Sequence, residues 1–233
     1  MMIILIFSTD SNAITVGGQI LPIGANRWQV GSEVVWFKRD LQNQNNRNDR
    51  WTLDNGLAAL GKVTYGINDK ADVYLRLGTT RMDNLMNDQD GVDTTSYRYQ
   101  SNFNLTWGLG LKAELYDFGN GLKLGGDAQY QSTPGFSALN SSNNGSSFKI
   151  DNFYEWHIGM HIYQTFEIFT PYIGVKWSDL RIDRQGAGGD LESKDVVSLY
   201  VGTDIAIAGA WKGFAEGRFV DETAFSVGAN YTF

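Results

Sequence analysis

The chain has 233 residues, a formal net charge of −7 and no cysteine. The lack of cysteine excludes disulfides and thiol chemistry, and with only two histidines we expect no structural zinc site. The acidic balance lacks the basic patch of a nucleic-acid-binding protein, so no nucleic-acid partner is predicted. No run of eighteen apolar residues occurs, which leaves a closed barrel as the way to cross a membrane.

The N-terminal residues resemble a short secretion signal. The stretch 1–7 is apolar, and Ser11-Asn12-Ala13 matches the small-x-small pattern of a cleavage site. The basic region that usually precedes the apolar core is missing, so a plain apolar first strand is the alternative. We predict a signal remnant over 1–13, followed by a single domain over 14–233.

The remaining chain alternates apolar and polar residues with a period of two, as β-strands do. Every second residue from Phe103 to Leu115 is apolar, and the intervening positions are polar or glycine. The chain ends in the same way, from Phe225 to Phe233. Ten strands are predicted in chain order: 28–38, 57–67, 71–80, 102–116, 122–132, 150–163, 168–179, 195–208, 211–220 and 223–233.

The connections between these strands alternate in length. Short turns are predicted at 68–70, 119–121, 164–166 and 209–210, and long polar loops at 39–56, 81–101, 133–149 and 180–194. Short inner turns and long outer loops are typical of outer-membrane barrels. We therefore predict an all-β transmembrane antiparallel barrel of about ten strands, or twelve if a long loop hides a hairpin. Its place is the bacterial outer membrane, with lipid around it and Phe233 recognised by the barrel assembly machinery.

The second face of each strand carries charged residues, which a soluble β-sandwich could bury only at a cost of several kcal/mol per ion. In a barrel these residues face the lumen and become candidate pore-lining residues. They are Glu33, Lys62, Asp72, Arg76, Lys112, Glu114, Lys123, Asp127, Glu155, His157, Lys176, Asp204, Lys212, Glu216 and Arg218. Because about eight strands leave room for little beyond side chains, two alternatives stay open. The opposite charges either pair and close the lumen or line the two walls of a pore.

The histidines offer no catalytic constellation. His157 and His161 lie four residues apart on one predicted strand, which separates them by roughly 13 Å, too far to share a metal. We therefore predict no enzyme activity, no cofactor and no metal, and interpret both histidines as polar residues that fill the lumen.

One stretch resembles a known family. Tyr154-Glu-Trp156, followed by Phe169-Thr-Pro-Tyr-Ile-Gly-Val-Lys-Trp-Ser178, is similar to the chlamydial major outer membrane porin family, and the last hairpin, 216–233, resembles that family's ending. The resemblance covers the C-terminal third. It implies an outer-membrane porin that can form a homotrimer. That family's known members have more strands and many cysteines, so disulfide cross-linking does not carry over.

Two functions follow from these observations. The first is passive diffusion of ions or small hydrophilic solutes through the lumen. The alternative is a non-conducting structural or adhesive barrel that acts through its loops at 39–56, 81–101 and 133–149.

Overall fold

The computed structural model describes residues 18–88, 98–140, 147–185 and 189–233, and the predicted signal remnant 1–13 lies outside them. These residues form twelve β-strands. In chain order they are β1 Trp28–Asn43, β2 Arg50–Asn68, β3 Ala71–Asp88, β4 Arg98–Ser101, β5 Asn104–Asp117, β6 Leu122–Asn140, β7 Ser147–Gln164, β8 Phe169–Arg184, β9 Leu191–Ser193, β10 Val197–Ala208, β11 Trp211–Val220 and β12 Glu222–Thr232. Among the described residues there is no helix with the length and apolar character to span a membrane.

Ten long strands close into an antiparallel barrel, as the sequence predicted. Each pairs with its neighbour in the chain, and β1 pairs with β12 from Gln29↔Thr232 to Arg39↔Glu222, which closes the ring. The short strands β4 and β9 stand outside this ring of ten. Every predicted strand is present, and the turns at 69–70, 118–121 and 209–210 lie together at one end, here called the short-turn end.

At the opposite end the wall narrows from ten strands to eight. There β4 lies between β3 and β6 in place of β5, and β9 lies between β8 and β1 in place of β10, β11 and β12. These two places are steps in the wall, and at each of them a serine side chain accepts a backbone N–H group. The Ser101 hydroxyl accepts the Met82 N–H at 3.0 Å, and the Ser193 hydroxyl accepts the Leu180 N–H at 2.8 Å.

The four segments predicted as long loops are mostly strand, which corrects that prediction. The segment 39–56 turns only between Asn43 and Arg50, and β3, β6 and β8 likewise continue to Asp88, Asn140 and Arg184. The loop prediction was based on the many polar residues in these segments. They are instead the water-facing half of strands that extend past the membrane.

The alternation of apolar and polar residues therefore reverses along the barrel. In the ring of ten, apolar residues face outward, and Leu75, Leu109 and Ile173 are 55%, 50% and 55% exposed. In the eight-stranded part of the wall, here called the ring of eight, the apolar residues face inward, and Leu41 and Ile182 are fully buried. The reversal follows from a change of solvent, because the outer face meets lipid in one half and water in the other.

Candidate functional site

The barrel interior holds most of the residues predicted to line a pore. Twelve of the fifteen point inward and are at most 6% exposed. They are Glu33, Lys62, Asp72, Arg76, Lys112, Asp127, Glu155, His157, Lys176, Asp204, Glu216 and Arg218. The other three, Glu114, Lys123 and Lys212, are partly buried near the short-turn end, where Lys123 contacts Glu114 at 2.8 Å. The inward orientation predicted from the alternation is thus observed, and the low exposure means that these side chains are packed against one another.

Arg39 is the centre of the largest ion-pair network. Its guanidinium lies 2.9 Å from Glu155, 2.7 Å from Asp221 and 3.4 Å from Glu222, and all four side chains are at most 3% exposed. The Ser178 hydroxyl accepts a further hydrogen bond from Arg39 at 2.8 Å. One cation therefore links strands β1, β7 and β12 across the lumen.

Two further cations extend this network. Lys176 on β8 contacts Glu155 at 3.1 Å and Glu222 at 2.5 Å. Arg218 on β11 contacts Glu222 at 3.4 Å and Glu216 at 3.1 Å. The carboxylates are shared between cations, so the charges neutralise one another where a pore would have exposed them to water.

The sequence analysis missed Arg39, Asp221 and Glu222 because it assigned them to a loop and a turn. The alternation provided a signal for the first of them: Phe37, Arg39 and Leu41 continue the inward parity of β1 without a break. Asp221 and Glu222 gave a weaker signal, a two-residue connection at the end where long loops were expected.

Smaller pairs fill the ring of ten below this network. Asp127 contacts His157 at 2.6 Å, and the His161 ring nitrogen contacts the Tyr200 hydroxyl at 2.9 Å. On the opposite wall Arg76 contacts Glu33 at 3.3 Å. Both histidine rings are buried, and one nitrogen of each takes part in these contacts.

An N-terminal segment, residues 18–23, lies across the lumen near the short-turn end. Asp204 accepts the backbone N–H of Ile20 and of Leu21, both at 3.1 Å, and Asp72 accepts that of Ile23 at 3.1 Å. Ile20 and Ile23 are buried.

Lys112 holds the same segment from its carbonyl side. Its ammonium group donates to the carbonyls of Gln19 and Leu21 at 2.9 Å and 2.7 Å, and it also contacts Asp72 at 3.3 Å. Three predicted pore-lining residues thus bind the chain's own backbone and hold this plug in place.

An apolar core begins at Val35, Phe37 and Ala224, where β1 still pairs with β12, and continues through the ring of eight. Seventeen buried hydrophobic residues from β1, β2, β3, β6, β7, β8, β9 and β12 form one cluster there. Phe37, Leu53, Ile150, Leu180 and Ile182 within it are fully buried. The lumen thus contains a backbone plug near the short-turn end and an apolar core toward the other end.

Glycines on the inward face make room for aromatic rings in the ring of ten. A Cβ on Gly110 would lie 2.4 Å from the Tyr74 ring, and one on Gly202 would lie 2.4 Å from Tyr172. Gly174 faces Tyr200 in the same way, at 2.5 Å. Each ring therefore packs directly against the backbone of a glycine on a neighbouring strand.

The interior shows no arrangement typical of a metal centre. Within the described ranges, no group of three or more His, Cys, Asp or Glu side chains is placed to hold a metal ion. The buried side chains can balance charge and hold the wall rigid, and they can bind the segment 18–23.

No protein-family model and no curated protein matches the chain. Solved structures of outer-membrane barrels are similar to it. The outer membrane protease OmpT from Escherichia coli matches at 15% identity and TM-score 0.45, over 91% of this chain and 98% of that one. OprG from Pseudomonas aeruginosa matches at 13% and 0.45, over 92% and 99%. The translocator domain of NalP from Neisseria meningitidis matches at 13% and 0.49, over 91% of each chain.

The closed antiparallel ring, its outward apolar belt and its short turns at one end define an outer-membrane β-barrel. The fold thus places the chain in this class of protein.

Proposed function

We propose that this protein is a non-conducting barrel of the bacterial outer membrane that acts through the end opposite its short turns. The observation that carries the proposal is the filling of the lumen at two levels, by residues 18–23 bound to Asp72, Asp204 and Lys112 and by the apolar core around Phe37. Passive diffusion of ions or small hydrophilic solutes is the alternative. Passive diffusion requires both the plug and the apolar core to move out of the lumen. The apolar core consists of side chains of the barrel wall itself, so it cannot move out as a separate segment.

The length of the strands supports a role for the far end. β7 has 18 residues, which at about 3.3 Å per residue and a tilt near 40° gives a height of about 45 Å. The apolar band of such barrels is about 25 Å tall. The ring of eight therefore projects above the membrane as a rigid support with its own core, and it carries the turn at 44–49 at its tip.

We further propose a family membership, a recognition signal and an oligomeric state. Membership of the chlamydial porin family rests on the run 169–178, which forms most of the lipid-facing strand β8. Recognition of Phe233 by the assembly machinery is consistent with its 66% exposure. Trimer formation rests on the family resemblance alone.

Planar-bilayer recording of the refolded protein tests the closure. We expect no discrete conductance steps from protein whose folded state is verified by heat-modifiable migration. Regular, salt-dependent steps would overturn the proposal and favour diffusion.

Because the chain has no cysteine, a single introduced thiol reports which end faces outward. Asn46 lies in the exposed turn of the far end and Asn120 in a short turn. On intact cells a membrane-impermeant maleimide should label N46C and leave N120C unlabelled until the cells are lysed. The reverse labelling would contradict the proposed orientation.

A further inference from the structure

The step in the wall beside β9 creates a groove on the outer surface of the barrel. Its volume is about 360 Å³. Trp156, Trp177 and Val196 form the apolar part of its lining. The rest of the lining is polar or charged and includes Arg47, Asp179, Glu192 and Lys194. The groove thus combines apolar and charged groups, which suits an amphiphile.

The apolar part of this groove continues into the lipid-facing belt. On β8 the outward residues below Trp177 are Val175 and Ile173, which are 51% and 55% exposed. On the paired strand β10 the outward residues are Val197 and Leu199, which are 53% and 47% exposed. An acyl chain can lie along this track while its headgroup occupies the groove.

Of the charged side chains in the groove, Asp179 is neutralised by an ion pair, whereas Arg47, Lys194 and the carboxylate of Glu192 are not, which leaves the groove with a net positive charge. Asp179 forms an ion pair with Arg181 at 2.9 Å, and Glu192 accepts a hydrogen bond from the Gln42 amide at 3.0 Å. Within the part of the chain that the structure describes, neither Arg47 nor Lys194 has a carboxylate within 4.0 Å, and both are exposed. Two free cations next to an apolar surface are complementary to an anionic headgroup.

The other step in the wall provides an internal comparison. A groove of about 640 Å³ lies beside β4, and Arg81 is the cation in its lining. Arg81 is neutralised by an ion pair with Asp83, which lines the same groove. The two steps share their backbone construction but differ in free charge, so only the groove beside β9 combines an apolar part with unpaired cations.

We propose that the groove beside β9 binds the phosphate-bearing headgroup of an outer-leaflet lipid, with the acyl chains along β8 and β10. Arg47 and Lys194 contact the phosphate, and the Trp156–Trp177 pair, whose ring centroids are 5.9 Å apart, packs against the top of the chains. Interfacial tryptophans take this position in membrane proteins, because the ring is apolar and its N–H is polar. The site lies outside the lumen and is independent of whether the barrel conducts.

Native mass spectrometry of the folded protein, released from phosphatidylcholine nanodiscs that contain a small fraction of lipid A, tests this site. We expect lipid A to be retained by the unaltered protein. The double variant R47Q/K194Q should retain it at least tenfold less, which corresponds to about 1.4 kcal/mol of binding free energy. The matched control R81Q/K149Q also removes two positive charges, the partly buried Arg81 of the other groove and the exposed Lys149, and should retain lipid A as the unaltered protein does.

Equal retention by R47Q/K194Q and the unaltered protein would overturn the proposal, as would equal loss in the control. A second arm adds millimolar inorganic phosphate before release. Unchanged lipid A retention supports a lipid site, whereas displacement by phosphate would show a plain anion site and overturn the lipid assignment. Arg47, Lys149 and Lys194 are exposed and Arg81 is partly buried, so heat-modifiable migration should verify folding in every sample.

Discussion

The Arg39 guanidinium and the Asp221 carboxylate meet at 2.7 Å in the barrel interior although 182 residues separate them in the chain. The contact joins the first strand to the final hairpin, at the level where the polar interior gives way to the apolar core. A buried pair of this kind is costly to break, because the partner left behind keeps its charge without water.

Arg39→Gln should therefore lower the free energy of unfolding by about 3–5 kcal/mol, since Glu155, Asp221 and Glu222 lose a shared cation. Urea unfolding of the refolded protein in lipid vesicles measures the change. The adjacent Lys38 is the matched control, because it points outward and pairs with the partly exposed Asp54. Lys38→Gln should cost less than about 1 kcal/mol. Similar losses in both variants would contradict the central role of Arg39.

We expect that release of the plug, residues 18–23, leaves the barrel non-conducting. In the variant D72N/D204N the segment loses the charged acceptors of its backbone N–H groups. We expect a cysteine introduced at Ile20 to react with a small maleimide when D72N/D204N is present. The same cysteine should be protected when Asp72 and Asp204 are unchanged. N120C in the exposed turn should react equally in both backgrounds.

Bilayers that contain D72N/D204N should stay silent, because the apolar core still closes the ring of eight. Conductance steps from this variant would mean that the plug is the only barrier.

The sequence predicted the ten strands and the orientation of their charged residues because both depend on one local rule, the period of two. It could not predict the lengths of the strands. In the part of the barrel outside the membrane, apolar residues such as Leu53 and Ile182 still occupy every second position, but they face inward. Their outward neighbours are polar, so these stretches looked like loops. The pattern shows which residues share a face, and the solvent determines which face is buried.

The closure of the lumen also lies beyond local pattern. Asp204 and Lys112 were identified as inward charges, but their partners are backbone groups of residues 19–21, far away in sequence. Whether an inward charge meets water or another group depends on barrel width and on what else enters the lumen. Pairing across the lumen was one of the two alternatives that the charge balance left open.

Inward glycines should not tolerate even one added methyl group. Gly110→Ala and Gly202→Ala place a Cβ 2.4 Å from the rings of Tyr74 and Tyr172, and we expect each to cost about 1–3 kcal/mol of stability. Gly61 is the control, since a Cβ there has its nearest neighbour at 3.5 Å. Gly61→Ala should change the urea midpoint little. A loss at Gly61 as large as at Gly110 would assign the effect to backbone freedom and not to packing.

The hairpin between β11 and β12 contains a strained residue that can be relieved. Val220 has φ of 95°, a conformation that a β-branched residue rarely adopts, and its side chain is 71% exposed. The next residue, Asp221, alone links the two strands, so this tight turn directs its carboxylate onto Arg39. Such strain costs on the order of 1–3 kcal/mol, and it persists because the surrounding contacts hold it.

Val220→Gly should therefore raise the free energy of unfolding by about 1 kcal/mol, after the entropy of a glycine in the unfolded chain is subtracted. Val197→Gly, which also removes an exposed valine but from an ordinary strand position, should lower it. Urea unfolding in vesicles compares the two variants directly. If Val220→Gly destabilises the barrel as much as Val197→Gly does, the turn stores no strain, and the position of Asp221 depends on its ion pair alone.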